Sequence, residues 1–186
     1  HKMMLNAHTP KILLAITLIM LVFCAVFYVS WVGVIGSDDQ VYIENARSRI
    51  YNPFMVGTNH WEVRLTLTMP MALAFATLGE SEISAALPTL LYMVLTGLLV
   101  FAFLVERTTL RTSVLIAALI ATSPLLAINA TSLRIDGVET FFVTASLVIF
   151  LSAIRNDQSK LILVLSGICA GAAFITRPTA IALVVF

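Results

Sequence analysis

The sequence predicts an all-α protein: a polytopic transmembrane helix bundle with amphipathic interfacial helices in its first extracytoplasmic loop. Three observations carry that prediction. Of 186 residues, 60% are hydrophobic and only 11% charged, whereas a soluble domain carries about 25% charged residues. The mean hydropathy is +1.00. Several apolar runs are long enough to cross a hydrocarbon layer roughly 30 Å thick. A formal net charge of +1 with no basic block leaves no electrostatic footprint for nucleic acid. Cys24 and Cys169 both lie in apolar stretches without metal-ligand spacing and read as buried membrane-helix residues.

The first expected span, 12–35, is longer than the apolar core of a cleavable signal peptide, so it stays as a membrane anchor. The loop 36–79 follows, outside the membrane. It opens on Ser37-Asp38-Asp39-Gln40, a helix start in which Ser37 is the expected cap and Gln40 reaches back to it. After that cap, Tyr42, Ile43, Ala46 and Ile50 fall on one helical face, and Glu44, Arg47, Ser48 and Arg49 on the other. This is the pattern of an amphipathic helix lying in the membrane interface. The stretch 63–79 is apolar but carries Arg64, Thr66, Thr68 and Pro70 in its first half. A charge at membrane depth is costly, so 63–79 reads as a shallow, re-entrant helix. Four further spans are expected at 83–105, 112–128, 138–154 and 161–186. The whole of 1–186 is thus a single transmembrane domain, and because it stops inside an apolar run it reads as the N-terminal piece of a longer protein.

Charge placement supports the non-crossing reading of 63–79. With five spans, Lys2, Lys11, Arg107, Arg111, Arg155 and Lys160 fall in the cytoplasm, against Arg47, Arg49, Arg64 and Arg134 outside. A sixth crossing would move the Arg107/Arg111 and Arg155/Lys160 loops outside, against the positive-inside rule. The acids are more lopsided. Asp38, Asp39, Glu44, Glu62, Glu80, Glu82, Asp136 and Glu139 all fall outside, and only Glu106 and Asp157 inside. Acids contribute little to topology, so the asymmetry needs another cause, and an extracytoplasmic active site is one.

Four places could hold chemistry. Asp38 and Asp39 are adjacent carboxylates at a helix start, where the N-terminal amides and dipole attract negative charge; plain N-terminal capping explains the same pair. His60, Trp61, Glu62 and Arg64 lie where the loop returns to the membrane. Arg64 suits bidentate capture of phosphate there, though an interfacial Trp belt with a solvated ion pair has the same composition. Asp136, between Arg134 and Glu139, falls on the same side as Asp38, in a stretch where Gly137 also allows a turn. Arg177 precedes Pro178 inside the last apolar stretch and must face protein, water or headgroups. Asn129-Ala130-Thr131 matches a glycosylation sequon but stands so near the membrane that it reads as chance.

Taken in order, these residues resemble the N-terminal half of a GT-C type glycosyltransferase of the protein-mannosyltransferase and aminoarabinose-transferase kind. The resemblance rests on Ser37-Asp38-Asp39-Gln40-Val41-Tyr42-Ile43-Glu44-Asn45-Ala46-Arg47, similar to the family's acidic pair followed by Tyr and Ala-Arg. It continues through Trp61-Glu62-Val63-Arg64, Pro70, Leu78-Gly79-Glu80-Ser81-Glu82, Leu87-Pro88, Leu133-Arg134-Ile135-Asp136 and Ile175-Thr176-Arg177-Pro178-Thr179. The resemblance implies inverting sugar transfer from a polyprenyl-phosphate donor to a lipid, glycan or protein acceptor, in a bacterial or archaeal plasma membrane, with the active site extracytoplasmic. It makes Asp38 the catalytic base, with Asp39 and Glu62 as further catalytic acids. His60, Arg64, Arg134, Asp136 and Arg177 become substrate or phosphate contacts. No cofactor is specified and a divalent metal is left open. The pair here is Asp-Asp where relatives commonly have Asp-Glu, and Val63-Arg64 stands where relatives often have Lys.

The competing class is a non-catalytic membrane protein, a lipid-carrier binder or a transport or assembly subunit whose acids form a relay. It expects acids facing each other at membrane depth, whereas six of the eight outer acids fall in loops or at helix starts.

Overall fold

The computed structural model describes residues 2–55, 57, 59–155 and 160–181, with side chains from residue 10 onward apart from Ser37. Lys2 and Asp157, used in the charge argument, and the last residues of the expected span 161–186 therefore lie outside the described side chains. The described residues form eight α-helices and a terminal 3-10 turn: α1 Lys2–Val29, α2 Ser37–Tyr51, α3 Leu65–Leu78, α4 Glu82–Val105, α5 Leu110–Ala121, α6 Pro124–Thr131, α7 Ile135–Arg155, α8 Lys160–Thr176 and the turn Pro178–Ile181. No strand is present among them.

By length and composition, Pro10–Val29, Glu82–Val105 and Ile135–Arg155 are able to cross a membrane. The stretch 112–128 is not one straight helix. It breaks at Thr122-Ser123-Pro124, where α5 and α6 meet at 57°. Proline sits comfortably in a first helical turn but has no N–H to continue α5. The pair together is long and apolar enough to count as one broken crossing, while Leu65–Leu78 and Lys160–Thr176 are apolar but shorter.

Two clusters hold the helices together. In the first, Tyr42, Ile43 and Ala46 of α2 pack with Leu67, Met71 and Phe75 of α3, Ala85 and Ala86 of α4, and Leu133, Ile135 and Val138 at the start of α7. The second joins Ala15, Ile19 and Phe23 of α1 to Met93 and Phe101 of α4, Ala117 and Ala121 of α5, and Ala130 of α6. The spacing Ala15, Ile19, Phe23 is one stripe of a helix. Ile12, Ile16, Val22 and Phe27 flank that stripe, partly buried, while Leu13, Leu14, Leu18 and Leu21 face outward. Lipid tails solvate such a surface, so burial needs to claim only the stripe. Cys24 belongs to the outward face: it is exposed rather than buried, and Cys169 is half-buried. Apolar neighbours in sequence do not distinguish a lipid-facing position from a core one, which is why composition alone misplaced Cys24.

Between apolar helices, polar side chains supply directional ties. The Thr89 hydroxyl donates to the Ala130 carbonyl at 2.7 Å, and Tyr92 donates to Thr66 O at 2.9 Å. The Thr66 and Thr176 hydroxyls meet at 2.7 Å, and Ser166 donates to Ser146 O at 2.9 Å. The two ends of the bundle differ in character. At one, Arg107 of the α4–α5 turn reaches Ser152 near the end of α7 at 3.4 Å. At the other, the start of α4 meets the loop before α2, since Glu82 accepts from Val34 N at 2.8 Å. Arg47 and Glu80 pair there, as do Arg177 and Asp136.

Candidate functional site

The site is built at this second end, starting from the loop that leads into α2. Gly33 has φ +74°, a left-handed conformation open mainly to glycine, and an added Cβ would collide with the Glu82 carboxylate. Its N–H donates to Thr131 O at 2.9 Å, while the Thr131 hydroxyl donates to Ser30 O at 2.8 Å. The next amides are taken in turn by two carboxylates. Glu82 accepts from Val34 N, and Asp39 Oδ2 accepts from Ile35 N and Gly36 N, each at 2.9 Å.

The helix start therefore differs from the sequence expectation. Gly36 occupies the cap position, Ser37 is the first helical residue, and Asp39 rather than Gln40 reaches back. Asp39 is one turn further in than a cap and carries a charge, so it can serve two amides with one oxygen. It is 6% exposed. Asp38, its neighbour, is exposed toward a cavity. The adjacent acids thus have different surroundings: Asp39 is bound into the backbone and Asp38 is presented outward.

That cavity has a volume of about 460 Å³, within the range of small-ligand sites. Its polar lining contains Asp38, Asp39, Arg64, Arg134, Asp136 and Arg177, with Tyr42 and Ser132 among the others. Six of the eight residues singled out from the sequence are thereby brought together from four separate segments. Arg64 stands at the cap of α3, with its guanidinium 5.5 Å from the centre of the Tyr42 ring. Burial pushes this guanidinium below its ordinary value; Asp38 and Asp136 act against that shift, while Arg177 adds to it. Asp136 opens α7 and pairs with Arg177 at the end of α8. Arg177 also lies 3.9 Å from Glu139, which accepts from Thr179 at 2.8 Å. The formal charges of the three acids and three arginines cancel.

His60 and Glu62 do not line the cavity. His60 is exposed and stacks on Trp61, with ring centroids 3.6 Å apart. Glu62 accepts from Asn59 Nδ2 at 2.8 Å. The amphipathic face also needs correction. Tyr42, Ile43 and Ala46 are buried as expected, but Ile50 is exposed and Arg49 is buried, 2% exposed. Positions 42, 46 and 49 form a helical stripe as regular as 42, 46 and 50, and hydropathy alone selected Ile50. Glu82 supports the site without a local sequence signal, because its carboxylate acts on a loop 48 residues away. Among the described residues, no three His, Cys, Asp or Glu side chains are grouped to hold a metal ion.

A family profile described as dolichyl-phosphate-mannose-protein mannosyltransferase matches residues 66–186. The chain belongs to this family. No curated protein and no solved structure matches it. As a member of the dolichyl-phosphate-mannose-protein mannosyltransferase family, a GT-C type, it is an integral membrane glycosyltransferase that uses a lipid-linked sugar. The matched stretch includes Arg134, Asp136 and Arg177 and almost all of α3. Asp38, Asp39 and Arg64 precede it but line the same cavity as the matched Arg134, Asp136 and Arg177.

Proposed function

We propose that the protein transfers a sugar, with inversion, from a polyprenyl-phosphate donor to an acceptor on the extracytoplasmic side, with Asp38 as base. One observation carries the reading: an outward-facing carboxylate, Asp38, shares a cavity with three guanidinium groups at the end of an apolar helix bundle. A lipid-linked donor keeps its chain in the bilayer and its phosphate at the interface, so the reacting carbon is held where such a cavity opens. In the proposed step Asp38 takes the proton of the acceptor nucleophile, whose lone pair forms a bond to the anomeric carbon. The bond from that carbon to the phosphate oxygen breaks, and the electron pair leaves with polyprenyl phosphate. Arg64 and Arg134 meet the charge growing on the phosphate, because preorganised cations are most effective where charge develops. Arg177, paired with Asp136, completes the wall. Asp39, occupied by backbone amides, orients Asp38; Glu62, outside the lining, has no assigned step.

The same reading proposes a topology. Spans 12–35, 83–105, 112–128, 138–154 and 161–186 cross the membrane, and 36–79 lies outside with α2 in the interface and 63–79 re-entrant. It sets the acid-rich end of the bundle on the extracytoplasmic side, supported by the positive-inside count.

The test is transfer from a radiolabelled panel of polyprenyl-phosphate sugars in membranes containing the protein, wild type against Asp38→Asn. A positioned base contributes roughly 10²- to 10⁴-fold, so the variant should lose activity by that factor at equal expression. Equal activity in both would remove Asp38 as the base. Absence of transfer from every donor in the wild type, with polyprenyl phosphate still bound, would favour the non-catalytic lipid-carrier reading.

A further inference from the structure

Arg49 does not line the cavity, yet it is among the most buried polar residues of the protein, at 2% exposed. Its guanidinium gathers oxygens from three stretches of chain. Nε donates to the Thr68 hydroxyl at 3.1 Å. One terminal nitrogen donates to Pro53 O at 3.4 Å and Met55 O at 3.3 Å, and the other to Glu62 O at 2.6 Å. The Thr68 hydroxyl donates onward to Arg64 O at 3.2 Å. The described residues of the connection between α2 and α3 form no long regular element, and Pro53, Met55 and Glu62 among them are gathered on this one side chain.

We infer that Arg49 is a positioning residue for the donor phosphate: by holding the Glu62 carbonyl directly and the Arg64 carbonyl through Thr68, it fixes where the Arg64 guanidinium stands in the cavity. The inference rests on the donor reading given above. Arg64 caps α3 with φ −76° and ψ 61°, outside the helical region; its carbonyl accepts from Leu67 N and Thr68 N of the helix, each at 3.1 Å, while its N–H donates back to Trp61 O at 3.3 Å, so its direction is set jointly by the helix start and the turn before it. Arg49 controls that turn. A planar fork with five donors can span oxygens on several sides; a lysine ammonium, a compact point charge, cannot replace it. A displacement of about 1 Å in a positioning group is enough to lower a rate roughly 100-fold.

The experiment measures kcat and KM for a polyprenyl-phosphate sugar in membranes containing the full chain. It compares Arg49→Lys and Thr68→Val, each alone and each combined with Arg64→Gln. Each single variant should lower kcat/KM by roughly 10- to 100-fold, with KM for the lipid donor raised. In the Arg64→Gln background each should add less than about twofold, because the group being positioned is gone. Losses that multiply independently of Arg64, or a fall in active protein with KM unchanged, would overturn the inference while leaving the donor reading intact. If Arg49→Lys does not accumulate in the membrane, Thr68→Val decides by the same comparison. A wild type that transfers from no lipid donor overturns the donor reading and this inference with it.

Discussion

Replacing Asp39 with alanine should destabilise the protein far more than the same change at Asp38, although the two acids are adjacent. One Asp39 oxygen accepts from both Ile35 N and Gly36 N at 2.9 Å, and the residue is 6% exposed. Hydrogen bonds to a charged group contribute about 1.5–3 kcal/mol each. Here they share an oxygen, and water reaches the exposed Ile35 and Gly36 once the carboxylate is removed, so the pair is worth roughly 2–4 kcal/mol rather than the full sum. Asp39→Asn keeps one carbonyl oxygen without the charge and should lose about half of that. Asp38 is exposed toward the cavity, so Asp38→Ala should change stability by no more than about 0.5 kcal/mol while abolishing transfer. The assay is denaturant unfolding of the detergent-solubilised protein, with sugar transfer measured on the same preparations. Equal destabilisation by the two alanines, or a neutral Asp39→Ala, would refute the separation of roles between these acids.

Two other perturbations follow from the packing and the charges. A Cβ on Gly97 would stand 2.6 Å from Phe23 Cζ and 2.7 Å from its Cε2. Since Phe23 is fully buried, Gly97→Ala should cost about 1–3 kcal/mol, and adding Phe23→Leu should recover part of it; unfolding free energies of the single and double variants check this. The Arg47 hydrogen bond holds the Glu80 carboxyl below its ordinary value, while Glu80 in turn raises Arg47. A carboxyl lowered by folding stabilises above its unfolded value and loses that contribution as pH falls through the folded one. The small difference in melting temperature between wild type and Arg47→Met should therefore be present at neutral pH and vanish in acid, and a difference that grows in acid would contradict the pairing.

Much of this architecture was legible because the sequence punctuates it. The apolar runs expected at 83–105 and 138–154 coincide with the helices Glu82–Val105 and Ile135–Arg155, whereas the run expected at 12–35 is helical only to Val29, beyond which Gly33 takes a left-handed conformation. The gathering of Asp38, Arg64, Arg134, Asp136 and Arg177 was legible through the ordered family resemblance and, for all but Arg177, through their common side of the expected topology. What could not be read belongs to interactions with no sequence period. Arg49 sits at a position that fits the polar and the buried face equally, and only the oxygens arriving from Pro53, Met55, Glu62 and Thr68 decide between them. The cap moved from Ser37 to Gly36 because Asp39 can reach two amides of an irregular loop. The break at Pro124 was hidden in a continuous apolar run, where hydropathy is blind to direction.

The contact between Thr66 and Thr176 joins residues 110 positions apart, and Arg177 reaches Asp136 only after α7 and α8 have both been laid down. At about 5–20 residues per second of synthesis, Arg64 emerges roughly 5–20 s before the last wall of its cavity exists. During that interval Asp38 and Arg64 lack the residues of α7 and of the end of α8 that later complete the cavity. Assembly of the cavity is thus a late event in biogenesis. Substitutions in α8 that leave every donor contact in place should still slow maturation, leaving a nascent chain that is threaded through the bilayer but not yet able to close around a lipid phosphate.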